Sequence, residues 1–384
     1  MVFKEEERLR CLMFEDAISN LGLPPSSISS DEYRDRQQDL FKCMPDGTAM
    51  IICANPIATK SNDVNYPFRT NSDMLYLTGW IEDGAVLFAK KSKNGDTKIT
   101  LFVKPNNVLK EIWEGRRLGI EGAKKVAPID TALSIDEIDD FIKRELKLVM
   151  EVFHQMNKNT KLDELILAII SERSREKQKN GLGPIKITDP TNLISELRLI
   201  KSEKELEIIK HACDITAATH IEAMKFTKPN MGEWQLEGFI EGCFRYCGGS
   251  GWAYPSIVGS GDNSTILHYK TNEDVMENGD LVLVDAGAEY EGYAADITRT
   301  WPVNGKFTSE QKQIYNLVLD SQKAAIEACI EGNPSNSHHL AASNVLKEGL
   351  IKLGIIDKNS KDMDAELKKY FMHGTGHWLG LDVH

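Results

Sequence analysis

Residues 281–296 read LVLVDAGAEYEGYAAD, and this stretch decides how the second half of the chain folds. Leu281–Gly287 is an apolar run that carries a carboxylate, Asp285, close to its end, and it predicts a strand buried on both faces. Glu289–Gly292 is polar and contains glycine, which is typical of a hairpin turn. Asp296 follows this turn, eleven residues after Asp285. Two strands paired across the turn would bring the two carboxyl groups side by side.

Two adjacent carboxylates repel each other, so a proton or a cation must lie between them. Two divalent ions bridged by carboxylates remove the repulsion and can produce a nucleophilic hydroxide. The alternative is structural: Asp285 would form a turn at the end of its strand, and Asp296 would pair with Arg299. The spacing of the two aspartates does not by itself decide between these interpretations.

Three more candidate residues lie in the stretch His373-Gly-Thr-Gly-His377-Trp-Leu-Gly-Leu-Asp-Val-His384. The glycines between the first two histidines disfavour a helix, and an extended chain spreads four residues over roughly 13 Å. At most one of these two can therefore bind a given ion, since a metal–imidazole bond is only about 2 Å long. His268 follows a glycine-rich turn that can place a side chain at the mouth of a cleft. A structural role is the alternative for each histidine.

Composition excludes several functional classes. The 384 residues include 46 Lys and Arg against 58 Asp and Glu, a net charge of −12, which disfavours nucleic-acid binding. No apolar run approaches the roughly 18 residues of a membrane span. The N-terminal stretch lacks the apolar core of a secretory signal. Seven scattered cysteines without a C-x-x-C pair indicate a reducing compartment. We therefore expect a cytoplasmic protein with no nucleic-acid or membrane partner.

The first half of the chain alternates between strand and helix patterns. Thr48–Ala54, Ala85–Ala89 and Thr97–Val103 are apolar and β-prone, whereas Asp136–Arg144 and Asp163–Ser174 have helical patterns. This alternation predicts an α/β layer.

Helix signals become sharper in the second half. Ser202-Glu-Lys-Glu205 has the form of a capping box and predicts a helix that begins there. A second helix is predicted to begin at Gly232, and Ser309 is predicted to cap a third.

The domain boundary is predicted near Asp189–Asn192. Arg173–Pro184 is basic and then interrupted by glycine and proline, which indicates an exposed connection. The predicted organisation is therefore an N-terminal extension over residues 1–30, a first domain over 31–190 and a second domain over 191–384.

Several motifs, in this order along the chain, resemble the proline-specific aminopeptidases of the pita-bread metallopeptidase family, also called aminopeptidase P. Those in the first domain are Tyr66–Gly79 and Glu111–Gly119. Those in the second domain are Tyr254–Gly261, Ile266–Tyr269, Leu281–Gly287, Asp296–Gly305 and His373–His384. The resemblance covers nearly the whole chain from about Asp31. The first-domain motifs separate this group from the methionine aminopeptidases, which resemble the second domain alone.

The resemblance implies an α/β creatinase-like N-terminal domain followed by an α+β pita-bread catalytic domain that is C-terminally incomplete. It implies metal ligands at Asp285, Asp296 and His377. These ligands would hold two divalent metal ions, for which a set of carboxylates plus one imidazole favours Mn²⁺, with Zn²⁺, Co²⁺ or Fe²⁺ as alternatives.

The resemblance also implies roles for residues around the metal ions. His268 and His384 would be catalytic residues that hydrogen-bond the scissile carbonyl and the tetrahedral oxyanion. Tyr254 would line the substrate cleft, and His373 would support substrate binding. Trp113 would form a wall for the proline ring, across a subunit interface.

The implied reaction is attack by a metal-bridging hydroxide on the amide that precedes proline, which releases the N-terminal residue of the peptide. The implied partners are peptides that begin with Xaa-Pro and further copies of the chain in a homo-oligomer, either a dimer or a tetramer. Three alternatives stay open: a prolidase that cleaves only Xaa-Pro dipeptides, a metal-free creatinase-like amidinohydrolase, and a non-catalytic pita-bread module that binds peptides. The paired aspartates disfavour the second of these, because a metal-free site has no use for them.

The chain departs from the family pattern at one end. Family members have five metal ligands, and the last two are glutamates on strands that follow the histidine block. This chain ends at His384, before either glutamate, so three ligands remain. We therefore expect a C-terminally truncated aminopeptidase P whose parent is active and whose present form is metal-poor and inactive.

Overall fold

The structure, a computed structural model, describes residues 17–180 and 183–384. It divides into two compact units, one of residues 25–207 and one of residues 208–384 with the described part of residues 1–24. The domain limits 1–30, 31–190 and 191–384 stay predictions, and the first sixteen residues lie outside the described part. Within the described ranges, no helix is long and apolar enough to cross a membrane.

The unit of residues 25–207 is built on a mixed β-sheet. Its strands are β1 Thr48–Cys53, β2 Thr59–Ser61, β3 Val64–Asn65, β4 Val86–Lys91, β5 Thr97–Val103, β6 Thr131–Ser134, β7 Glu151–His154 and β8 Lys186–Thr188. Six of them form one sheet in the order β6-β5-β4-β1-β7-β8, and β2 pairs with β3. The central strand β1 is buried along its whole length, antiparallel to β4 and parallel to β7. The three strands predicted in this region are confirmed as β1, β4 and β5.

The helices of this unit are α1 Ser30–Cys43, α2 Ser72–Thr78, α3 Val108–Glu114, α4 Gly119–Val126, α5 Ile138–Glu145, α6 Thr160–Asn180 and α7 Thr191–Leu199, with 3₁₀ turns at Ile135–Glu137 and Leu146–Leu148. The α/β layer is therefore confirmed. The exposed connection predicted at Arg173–Pro184 is wrong over its first part, because α6 continues to Asn180. Its basic residues are good helix formers, and no glycine or proline interrupts them before residue 181.

The helices from Glu203 onward are α8 Glu203–Phe226, which begins in the first unit and continues into the second, α9 Glu233–Tyr246, α10 Ser309–Ala328, α11 Ser337–Lys352 and α12 Met363–Lys368. Three of them, α8, α9 and α10, are predicted by the sequence, and α11 and α12 are not. The capping box of α8 is confirmed, since the Ser202 amide donates to Glu205 and the Glu205 amide donates to Ser202 Oγ. Ser309 as the cap of α10 is wrong. Thr308 caps that helix, because it and Gln311 exchange two hydrogen bonds that fix the helix start one residue earlier.

The strands of the second unit form two antiparallel sheets. They are β9 Gly251–Trp252, β10 Ile257–Ser260, β11 Leu281–Ala286, β12 Ala288–Tyr290, β13 Tyr293–Ala294 and β14 Ile297–Pro302, and a 3₁₀ turn lies at Gly261–Thr265. One sheet has the order β10-β11-β14 and the other β13-β12-β9. The predicted hairpin is confirmed, since β11 pairs with β14 and β12 pairs with β13.

Two details of that hairpin differ from the prediction. The turn itself is Glu291-Gly292, both with positive φ, and Glu289 belongs to β12. Strand β11 is not buried on both faces: its residues alternate between half-buried and buried. Val282 and Val284 belong to an apolar core that also contains α9 residues, whereas Asp285 points to the opposite face, as successive strand residues do.

Gly287 lies where the hairpin backbone comes closest to itself. A Cβ atom at this position would lie 1.7 Å from the carbonyl oxygen of Ala295 and 3.1 Å from the amide nitrogen of Asp296. Because both atoms belong to the backbone, no side-chain movement can make room. Gly287 therefore allows the chain to place Asp285 and Asp296 near each other.

We expect Gly287→Ala to lower the free energy of unfolding by about 3 kcal/mol, the upper end of the usual cost of overpacking, because the backbone must separate. Gly238→Ala is the matched control, since Gly238 lies inside α9 and a Cβ there meets nothing within 4 Å. This control should be neutral or stabilising by about 0.5–1 kcal/mol. Urea unfolding followed by circular dichroism measures both. Equal stability of the two variants would contradict this role of Gly287.

His220 is a buried residue of α8 that packs behind the hairpin. Its side chain is 2% exposed, and its Nε2 lies 3.3 Å from the carbonyl oxygen of Ala286. The ring meets Trp301 edge to face at a centroid distance of 6.3 Å. Burial lowers the pKa of His220 from 6.5 to about 4, and the contact with the Ala286 carbonyl opposes this only in part.

We expect the protein to lose stability as the pH falls from about 6.5 to about 4. In this window the unfolded chain protonates His220 and the folded chain does not, so acid favours unfolding. Between pH 7 and pH 4.5 the wild type should lose between about 2 and 3 kcal/mol more than His220→Gln, which cannot titrate. Urea unfolding of both proteins at the two pH values measures this difference. The same pH dependence in both would contradict it.

Candidate metal centre

The two aspartates of the hairpin share one hydrogen-bond donor. Asp285 lies in β11, and Asp296 comes directly before β14. The Tyr254 hydroxyl lies 2.5 Å from Asp285 Oδ1 and 3.0 Å from Asp296 Oδ1. A hydroxyl has a single proton, so it cannot donate fully to both carboxylates at once. The structure thus brings together three side chains that the sequence analysis singled out.

The electrostatics of this group are unfavourable without a cation. Burial raises the pKa of Asp285, and the neighbouring carboxylate of Asp296 raises it further, while hydrogen bonds from Tyr254 and Thr298 act in the opposite direction. Burial and the two carboxylates also raise the pKa of Tyr254, so its hydroxyl stays a donor. A cation near the carboxylates would remove the repulsion between them.

His377 approaches the same pair. Its Nε2 lies 3.1 Å from Asp296 Oδ2, and its Nδ1 lies 2.7 Å from the carbonyl oxygen of Trp378. The carbonyl can only accept, so Nδ1 carries a proton and Nε2 faces the carboxylate. Either a second ring proton or a cation must then lie between Nε2 and Asp296. Arg299, the alternative partner for Asp296, instead donates to the carbonyl of Thr298.

The other two histidines of the C-terminal block take different positions. The ring of His384 lies 4.5 Å from that of His377, centroid to centroid. His373 does not contact this group among the described residues: its Nδ1 lies 2.7 Å from the carbonyl of Gly374, and its ring meets Phe371 edge to face. A hydrogen bond from the Ala294 amide to the carbonyl of Gly380 joins the block to β13.

His268 lies in an exposed turn after the 3₁₀ turn Gly261–Thr265. It is close enough to Asp285 to lower that residue's pKa slightly. In the described part of the chain, no hydrogen bond joins its ring to another residue. The His268 ring therefore lies within electrostatic reach of Asp285 and is exposed.

Trp113 belongs to the unit of residues 25–207. It lies on α3, and 89% of its surface is exposed. Its role beside a proline ring stays a prediction.

Two residues that contribute to this region have no signal of their own in the sequence. Thr298 lies directly opposite Asp285 in the pairing of β11 with β14, so the hairpin register could have identified it. Glu233 is fully buried and accepts hydrogen bonds from residues 260–274, which precede Asp285 in the chain. These contacts are tertiary, so the sequence does not show them. Sequence patterns identify exposed strand ends more easily than buried acids at helix starts.

The types of donor fit a divalent cation, although the side chains do not form a complete metal-binding site in this arrangement. Two carboxylates and one imidazole are ligands for a borderline-hard ion. Within residues 17–180 and 183–384, no three His, Cys, Asp or Glu side chains form a group that could hold a metal ion as they stand. The Tyr254 hydroxyl lies between the carboxylates, where it moderates the same repulsion that a cation would remove. The fit therefore rests on the chemistry of the donors.

Two sequence profiles match the chain. The profile of Metallopeptidase family M24 matches residues 207–384, which include all the residues of the candidate centre. The profile described as Aminopeptidase P, N-terminal domain, matches residues 33–153.

Individual relatives agree with these profiles. The Xaa-Pro aminopeptidase of Escherichia coli is 39% identical over 361 residues, which cover 94% of this chain and 82% of that protein. The Xaa-Pro aminopeptidase of Haemophilus influenzae is 37% identical over a region that covers 94% of this chain and 81% of that protein. The structure of zinc-substituted E. coli aminopeptidase P in complex with product is similar to this one, with a TM-score of 0.87 over 94% of this chain and 82% of that one. The chain therefore belongs to metallopeptidase family M24, and within it to the Xaa-Pro aminopeptidases, with a creatinase-like α/β N-terminal domain and a pita-bread catalytic domain.

Proposed function

We propose that this protein releases the N-terminal residue from peptides whose second residue is proline, with divalent metal ions held by Asp285, Asp296 and His377. The observation that carries the proposal is the group around Tyr254: two carboxylates share one hydroxyl, and an imidazole nitrogen faces one of them. Family membership supports the class of substrate.

Mn²⁺ is the ion we propose, because a ligand set dominated by carboxylates and lacking thiolates favours it. When bound, such an ion supplies Lewis acidity that activates water and polarises a carbonyl. The chain's contribution is to hold the ligands in fixed positions. Asp285 is fixed by its place in β11 and by the hydrogen bond from Thr298, and His377 is oriented by the contact of Nδ1 with the Trp378 carbonyl.

His268 and His384 are the catalytic residues in this proposal. One lies near Asp285 and the other near His377, and they come from separate segments of the chain. Each ring can donate a hydrogen bond to an oxygen of the scissile amide. Donors that are fixed before the reaction stabilise the charge that develops on that oxygen.

Tyr254 and His373 would line the substrate cleft. Because the pKa of Tyr254 is raised, its hydroxyl remains a hydrogen-bond donor at neutral pH. His373 is exposed and packs edge to face against Phe371, so its ring is supported on one side and accessible on the other.

A homo-oligomer, either a dimer or a tetramer in the cytoplasm, is part of the same proposal. Helix α3 has no buried residue, and its apolar side chains are between 71% and 89% exposed: Val108, Leu109, Ile112 and Trp113. An exposed apolar patch of this kind is typical of an interaction surface. Contact with a second copy would cover it and would allow Trp113 to contribute to a substrate site, as the resemblance implies.

The reaction is tested by incubating the full-length protein and Mn²⁺ with the tripeptide Ala-Pro-Ala, the dipeptide Ala-Pro and the tripeptide Ala-Ala-Ala. We expect release of free alanine from Ala-Pro-Ala and little from the other two, because the proposed site requires proline in second position and a residue after it. Chromatography of the products measures each rate. Cleavage of the dipeptide alone would favour a prolidase, and no cleavage of any peptide would favour a non-catalytic module.

The metal ligands are tested by binding of Mn²⁺ to the metal-free full-length protein, measured by calorimetry. Loss of a residue that only supports a metal ligand costs roughly 10-fold to 100-fold in affinity, so Asp296→Asn should cost at least as much. Asp320→Asn is the control, because Asp320 is exposed on α10 and should leave the affinity unchanged. Equal affinities for the two variants would exclude Asp296 as a ligand.

A further inference from the structure

Glu233 is a fully buried acid at the first position of α9. Its two carboxyl oxygens accept five hydrogen bonds. Oε1 accepts from the Ser260 amide at 2.7 Å, from Ser260 Oγ at 2.8 Å and, more weakly, from Asn263 Nδ2 at 3.4 Å. Oε2 accepts from the Tyr269 hydroxyl at 2.8 Å and from the Asp274 amide at 3.1 Å. No Lys or Arg forms an ion pair with it among the described residues.

All five hydrogen bonds come from one segment, residues 260–274, which we call the histidine loop because it carries His268. The contacts are spread over the whole loop, from its start at Ser260 to its end at Asp274. Asn263 adds cross-links inside the loop, since its Nδ2 also lies 3.0 Å from the Tyr269 hydroxyl and 2.6 Å from Asp274 Oδ2. One buried carboxyl group therefore serves as the common anchor of a loop that begins at the last residue of β10 and whose only regular element after that is a 3₁₀ turn.

Contacts of its own ring do not fix the position of His268 within this loop. It is exposed, and no hydrogen bond joins its ring to another described residue, so its own side chain does little to hold it. The next residue, Tyr269, donates its hydroxyl to Glu233. The backbone directly after His268 is thus held through Tyr269, and the start of the loop is held through Ser260 and Asn263.

We propose that Glu233 is a positioning residue for His268, acting through the Tyr269 hydroxyl and the ends of the histidine loop. This inference rests on the proposed function, in which His268 donates to the scissile amide. A displacement of about 1 Å in a catalytic group can cost up to 100-fold in rate, so an anchor of this kind affects turnover without touching the substrate. The residues packed and hydrogen-bonded around a catalytic group keep its displacement well below 1 Å.

The first test is Tyr269→Phe, which removes one hydroxyl and keeps the ring. Turnover of Ala-Pro-Ala should fall between about 10-fold and 100-fold, with KM changed by less than about twofold, because the loop loosens while the rest of the site stays intact. Tyr315→Phe is the matched control: Tyr315 lies on α10, its ring packs on Phe307, and it should keep wild-type turnover. Turnover is divided by the fraction of folded protein, measured by circular dichroism, so that a loss of stability alone does not lower the value.

The second test separates positioning from a general structural role. In a His268→Ala background, Tyr269→Phe should cause no further loss of turnover, because the group that it positions is already absent. Glu233→Gln should act in the same direction as Tyr269→Phe and more strongly, since an amide would point an N–H group at the amide of Ser260 or of Asp274. Hydrogen-exchange mass spectrometry should show faster exchange over residues 260–274 in both Glu233→Gln and Tyr269→Phe, but not in Tyr315→Phe.

Two results would overturn the inference while leaving the proposed function intact. One is a wild type that cleaves Ala-Pro-Ala while Tyr269→Phe turns over as fast as Tyr315→Phe. The other is an equal loss from Tyr269→Phe in the wild-type and His268→Ala backgrounds. A wild type that cleaves no Xaa-Pro peptide would instead overturn the proposed function, and the positioning role with it.

Discussion

Asp285 and Asp296 lie close together although their carboxylates repel each other, so the packing of the second unit must hold them in place. Strand β11 is fixed by Val282 and Val284, which pack into the apolar core. Gly287 has no Cβ atom, so the hairpin backbone can come close enough to place Asp296 beside Asp285. The carboxylates cannot move apart without breaking this packing. The Tyr254 hydroxyl relieves part of their repulsion, and a divalent cation would relieve much more. Because the two carboxylates are held close together and repel each other, this part of the protein favours the binding of a cation.

Much of this arrangement follows from local patterns that the sequence contains. An apolar run, a polar turn with glycine and a second strand are sufficient to predict the hairpin, and the hairpin brings Asp285 and Asp296 together. The capping box at Ser202 and the helix at Gly232 depend on contacts within a few residues, so they are also predictable. Local rules fail where two signals compete, as at Thr308 and Ser309, where a reciprocal bond with Gln311 decides the helix start.

Long-range contacts could not be predicted in the same way. The burial of only one face of β11 depends on which helices cover the sheet, and periodicity in a short apolar run does not show this. Glu233 resembles any acid in the first turn of a helix until its five donors from residues 260–274 are seen in space. The residues proposed as metal ligands were thus easier to identify than Glu233, because the ligands lie in sequence motifs whereas the contacts of Glu233 are tertiary.

The claim on which the rest depends is that positive charge binds between Asp285 and Asp296. Crystals of the full-length protein grown with Mn²⁺ test it most directly, by anomalous scattering measured at the manganese edge. We expect anomalous peaks that place Asp285, Asp296 and His377 Nε2 each within bonding distance of a manganese ion, and we expect the Tyr254 hydroxyl no longer to be shared between the two carboxylates. A map without a peak there, at a manganese concentration that saturates the protein, would contradict the claim and would leave the two aspartates as a structural pair.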